Sequence, residues 1–105
     1  MATIRNLLSN VTSAMIGEPL ALDLKLVREG GSLPILISGI SGDTVVLEAT
    51  IATDQEVREN TAKWEQISQA VWTADVADGL FTPFTHIRGR VLVWVAGDIY
   101  MRTIV

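Results

Sequence analysis

The sequence predicts an all-β chain, an antiparallel β-sandwich of jelly-roll-like form with an extended N-terminal arm. Three observations predict it. Turn-forming groups punctuate the chain at Gly17-Glu18-Pro19, Glu29-Gly30-Gly31, Ser41-Gly42-Asp43, Asp78-Gly79 and Gly97-Asp98. The segments between them are rich in Val, Ile, Leu and Thr, and several alternate apolar with polar. Helical character is confined to one stretch, TDQEVRENTAKW. Short strands with turns between them at spacings of roughly ten residues are the pattern of a sandwich or barrel. With 105 residues the chain is one domain, large enough for one two-layer core.

The elements follow in order. Residues 1–16 form an N-terminal arm or an extra strand, and residues 17–105 form the sandwich. The segment LALDLKLV sets Leu20, Leu22, Leu24 and Leu26 on one face and Ala21, Asp23 and Lys25 on the other. PILISGI opens with Pro34, which suits a strand start or an edge. DTVVLEATIATD gives the clearest strand, with Val45, Leu47, Ala49 and Ile51 facing one way and Val46, Glu48 and Thr50 the other. The next stretch is a loop with one helical turn, capped at Thr53 or Asp54 and interrupted at Asn60-Thr61.

TAKWEQIS and AVWTADV are two further candidate strands. In THIRGRVLVWV, Ile87, Gly89, Val91, Val93 and Val95 share one face, which is expected to fill the core. His86, Arg88, Arg90, Leu92 and Trp94 share the other. DIYMRTIV closes the chain.

That penultimate strand is the functional clue. Val91, Leu92, Val93, Trp94 and Val95 are apolar in succession, so both faces are greasy where a half-buried strand should alternate. Hydrophobic residues make up 49% of the chain and charged residues only 19%, below the roughly 25% of typical globular chains. Apolar surface left over in so small a domain points to a partner. Leu92, Trp94, Tyr100, Phe81 and Phe84 are the expected interface residues. Phe81 and Phe84 flank Thr82-Pro83, in a loop that either tucks onto the sandwich or projects as a contact element. An alternative cover for the greasy strand is TIRNLL, folded back along it.

Other chemistry is weakly represented. A formal net charge of −4 disfavours nucleic acid, which demands a concentrated basic face. Arg88, Arg90 and Arg102 are expected to pair with carboxylates. There is no cysteine and one histidine, His86, read as a strand-end side chain near the surface, so no zinc set or histidine triad is expected. Asp43, Asp78 and Asp98 each neighbour a glycine, as turn residues do. No dedicated calcium, Walker or Rossmann loop is present. No catalytic residue, cofactor or metal is expected. No apolar run reaches membrane-spanning length, and no signal peptide opens the chain. Trp64, Trp72 and Trp94 are read as core plugs or interface anchors, with sugar-stacking platforms as the alternative.

The order ISGISGDTVVLEATIATD, then WEQIS, then DGLFTPFTHIRGRVLVWVAGDIYMRTIV resembles small accessory structural proteins of tailed bacteriophages. The matching positions are Gly42–Ala49, Trp64–Ile67, Ile87–Val91 and Gly97–Val105, about the last two-thirds of the chain. The resemblance implies a virion protein, made in the bacterial host cytoplasm, that decorates or stabilises a capsid. It also implies other phage structural proteins, of capsid or tail, as partners, and a homo-oligomer, with a trimer favoured. It implies no catalytic residue. The alternative is a tail- or fibre-associated module that binds carbohydrate or a receptor.

Overall fold

The computed structural model describes residues 4–22, 32–81 and 84–104. Strands dominate: β1 (Ile4–Val11), β2 (Met15–Ile16), β3 (Leu20–Ala21), β4 (Ser32–Ser38), β5 (Thr44–Thr50), β6 (Glu65–Trp72), β7 (Val76–Phe81), β8 (His86–Val93) and β9 (Ile99–Ile104). One short helix, α1 (Asp54–Arg58), lies between β5 and β6. Two antiparallel sheets pack face to face, one ordered β1-β9-β4-β7 and the other β2-β8-β5-β6, with β3 also on β8. The all-β sandwich read from the sequence is therefore present.

Its topology is jelly-roll. β2 and β3 both pair with β8, at Met15↔Val91 and Leu20↔Ile87, so they act as one interrupted strand. The remaining pairs nest outward from β5–β6 through β4–β7 and β2/β3–β8 to β1–β9. That is a long hairpin rolled into two sheets. The turn expected at Gly17-Glu18-Pro19 is instead the interruption itself. Pro19 cannot donate to the ladder, while the Gly17 amide still donates to the Gly89 carbonyl at 2.7 Å.

Residues Ile4–Val11, expected as an arm or an extra strand, form β1 along β9. Leu7 is the extra residue of a β-bulge, because Asn6 opposes Arg102 and Leu8 opposes Met101. A bulge puts two successive residues on one side of the strand, and both Leu7 and Leu8 enter the core. Residues 4–8 of TIRNLL therefore do not cover the outer side of β8. They run along β9 in the four-stranded sheet, with Leu7 and Leu8 in the core and Ile4, Arg5 and Asn6 exposed.

The core lies where alternation places it. Val45, Leu47 and Ala49 of β5 meet Leu33, Ile35 and Ile37 of β4, with Ile87 and Val91 of β8 and Ile99 and Met101 of β9. Pro34 falls where β4 still lacks β9, since that pairing begins at Ile35. TAKWEQIS and AVWTADV do not form separate strands. β6 runs unbroken from Glu65 to Trp72 and is irregular opposite Leu47. Asp78-Gly79 is not a turn but the middle of β7, paired with Ile35 and Pro34. The strand expected over Leu20–Leu26 and the turn at Glu29-Gly30-Gly31 fall largely outside the described residues. Thr53 caps α1, its hydroxyl accepting from the Glu56 amide while Glu56 reaches back to the Thr53 amide.

Candidate interaction surface

One strand, β8, organises the surface on its side of the sandwich. Antiparallel partners share a face, so the register Thr50↔His86, Glu48↔Arg88, Val46↔Arg90 builds a polar ladder on the outer side of the five-stranded sheet. Glu48 is the centre of it. Its carboxylate accepts from Arg88 Nε at 2.8 Å and from Arg90 Nη1 at 3.1 Å. The Arg88 guanidinium also lies 4.2 Å from the centre of the Trp64 ring.

The α1 segment closes the lower half of this face. Thr50 Oγ1 donates to the Lys63 carbonyl at 2.7 Å, and Thr85 Oγ1 accepts from the Ala52 amide at 2.9 Å. His86 Nε2 meets Asp54 Oδ1 at 2.7 Å. His86 is therefore buried, not near the surface as its strand-end position suggested. The helix sits over it.

The upper half is different. Val91 opposes Val45 and Val93 opposes Thr44, so Leu92 is an extra residue with nothing across from it. Alternation ends at this bulge. Val91 is buried, but Leu92 is 42% exposed, Val93 49%, Trp94 39% and Val95 55%. Val93 and Val95, expected in the core, are outside it because the bulge turns them away. Four successive apolar side chains are left facing solvent.

This apolar lip is held rigidly. Asp43 is fully buried beneath it. Its carboxylate accepts from the amides of Ser41 at 2.8 Å, Ala96 at 3.1 Å and Val95. Burial pushes the Asp43 carboxyl up, but donation from the Val95, Ser41, Gly97 and Ala96 backbone outweighs it and holds the group below its ordinary range. Gly97 must be glycine, since a Cβ there would collide with the Asp43 carboxylate and the Gly39 carbonyl. The Asp98 amide donates to that same carbonyl at 3.0 Å, and the Ile40 amide donates to Asp75 Oδ1 at 2.9 Å. Three loops at one end of the sandwich are thus tied together, β4–β5, β6–β7 and β8–β9. Trp94 is pinned too, its indole N–H donating to the Gly97 carbonyl at 2.8 Å.

The five expected interface residues do not form one surface. Leu92 and Trp94 share the lip. Phe84 lies at the other end of β8 and packs against the core. The Phe81 side chain and Thr82-Pro83 fall outside the described residues. Tyr100 is half-buried on the outer face of the opposite sheet. Of the other tryptophans, Trp72 is buried and donates to Asp78 Oδ2 at 3.4 Å, and Trp64 is half-buried beside Arg88. Among the arginines, Arg88 and Arg90 pair as expected; among the described residues no carboxylate pairs with Arg102.

Sequence reasoning missed Asp43 and the exposure of Val93 and Val95. Asp43 reads as an ordinary turn residue beside Gly42. Only its contacts across the fold, with residues 95 and 96, reveal it as a loop-end organiser. Among the described residues no three His, Cys, Asp or Glu side chains gather as a metal would require. Comparison with known proteins returns no match among family models, curated proteins or solved structures.

Proposed function

We propose that this chain is a bacteriophage virion structural protein, an accessory β-sandwich that self-associates and decorates or stabilises the capsid. The observation that carries the reading is the lip of Leu92, Val93, Trp94 and Val95, exposed yet held on a rigid hydrogen-bonded frame. A fixed apolar surface gives up little conformational entropy on docking, so more of its burial energy remains for association. Jelly-roll sandwiches serve in capsids and lectins alike, and fold alone selects neither. The sequence likeness to phage accessory proteins favours the former. Partners on this reading are a second copy of the chain and other capsid or tail proteins, within a virion assembled in the bacterial cytoplasm. A closed ring, with a trimer as the expected form, satisfies one repeated contact.

The test is the mass in solution by light scattering across a wide dilution, for the wild type and for Leu92→Asp. A stable closed oligomer that Leu92→Asp dissociates supports the proposal. A monomer at every concentration defeats it.

A second reading rests on Trp94. Its partly exposed indole at the loop end is a platform on which a sugar ring can stack. This carbohydrate- or receptor-binding alternative predicts that added sugars quench or shift Trp94 fluorescence. Self-association predicts no response to sugars.

A further inference from the structure

The lip is not the only exposed apolar surface. The outer face of the four-stranded sheet carries another. Arg102 on β9 lies opposite Leu36 on β4 and Asn6 on β1, so these share the solvent side. Around Arg102, the side chains of Ile4, Pro34, Leu36 and Ile104 line an open depression of about 510 Å3. Ile4 is 65% exposed, Leu36 52% and Ile104 46%. A second depression of about 290 Å3 shares Leu36 and Arg102 and adds Tyr100 and Ser38. Together they make one trough along β4 and β9. From Ile104 to Tyr100 it extends roughly 13 Å, at about 3.3 Å per strand residue.

Charge gives the trough its chemistry. Arg88 and Arg90 on the other sheet are both satisfied by Glu48. Arg102 has no such carboxylate among the described residues. Asp78 lines the far side of the trough, beyond β4. Its oxygens are engaged by the Trp72 indole at 3.4 Å and the Gly79 amide at 2.8 Å. Among the described residues, the trough is therefore a largely apolar floor with one guanidinium near its middle and the engaged Asp78 carboxylate at its side.

We propose that this trough docks an extended segment of a partner protein carrying one carboxylate among apolar side chains, with the carboxylate closing on Arg102. A guanidinium presents a planar fork of donors that matches a carboxylate. The trough is open along its length, so it covers only one side of its occupant. A small ligand is normally enclosed over most of its surface; a protein segment brings its own cover. A second copy related by a two-fold axis through the trough fits poorly, since it would set Arg102 against Arg102. In a ring the trough would have to meet a carboxylate-bearing strand of the neighbour, which the assembly mass of Arg102→Glu tests. This docking face is separate from the lip and does not depend on self-association.

The test uses the full chain and two short fluorescein-labelled peptides of alternating leucine and threonine, one with a central glutamate and one with a central lysine, read by fluorescence anisotropy. The wild type is expected to bind the glutamate peptide roughly tenfold or more tighter than the lysine peptide, the size of one charge-assisted hydrogen bond. Arg102→Glu should invert that preference, Arg102→Gln should abolish it, and Leu36→Lys should weaken both peptides. The side chain of Arg102 is exposed, so the fold should tolerate these changes, and unaltered melting checks that. Equal binding of the two peptides, binding of neither, or a preference that survives Arg102→Glu overturns the proposal. So does a change in assembly mass on Arg102→Glu, which would place a second copy in the trough.

Discussion

The two halves of the stretch His86–Val95, β8 and the residues that follow it, meet opposite fates. From His86 to Arg90 the strand's outward side chains are polar, and the chain covers them with α1, Trp64 and the Glu48 carboxylate. From Leu92 onward the side chains are apolar, and the described chain leaves them exposed. A folding chain gains most by covering apolar groups, so this arrangement is inverted. The lesson is that cover on this face completes ion pairs and buries a histidine, while the described chain leaves the apolar lip exposed.

The largest effect is expected for Glu48→Ala. It leaves Arg88 and Arg90 without their shared carboxylate beneath the covered half. A loss of about 3 kcal/mol is expected, at the low end for a broken buried pair because Arg90 is partly exposed. The urea midpoint measures it. A loss near zero would mean the covered half is no more built than the lip.

Next comes the frame under the lip. Asp43 has a lowered carboxyl pKa in the folded chain, so the stability it supplies is complete above its ordinary value of 3.8 and is lost as pH falls through the lowered one. Acid should therefore loosen the loop end, seen as a red shift of Trp94 emission. Asp43→Asn should remove that acid-dependent step and leave a less stable loop end at neutral pH. An unchanged acid transition in Asp43→Asn would separate Asp43 from the rigidity of the lip.

A smaller effect is expected for Trp64→Ala. It removes the ring beside Arg88 and should cost about 1 kcal/mol, from the cation–π contact and part of the cover. The smallest effect on stability belongs to Leu92→Ser on the lip, within roughly 0.5 kcal/mol, as for an exposed side chain. If Leu92→Ser instead destabilises the isolated subunit strongly, the lip is part of the core and the comparison fails.

The sequence made much of this legible. Alternation in Thr44–Thr50 and His86–Val91 correctly assigned the core face and the polar ladder, because period two is a direct consequence of strand geometry. The helical turn was readable from the Thr53 cap. The bulges at Leu7 and Leu92 were not. Each is a mismatch in residue count between two strands, which neither strand reveals by itself. That is why Val93 and Val95 were misplaced. The His86–Asp54 pair and the Asp43 frame were hidden for a related reason, since their partners lie 32 and 52 positions away in sequence. Gly79 misled because glycine marks turns more often than strands, yet on the edge strand β7 it sits opposite Pro34.

The place of β9 between β1 and β4 has a consequence for synthesis. β9 is the last of these strands to leave the ribosome, yet it lies inside its sheet rather than at the edge. Until it emerges, β1 lacks the strand it zips against, and β4 has one ladder open. A nascent chain therefore carries the lip before it has a finished sandwich. Closing the outermost pair, Ile4 with Ile104, joins residues nearly the whole chain apart and is expected to be slow. Encounters between subunits during that interval would occur between incomplete sheets, so the rate of closure sets how long newly made chains are vulnerable to mispairing.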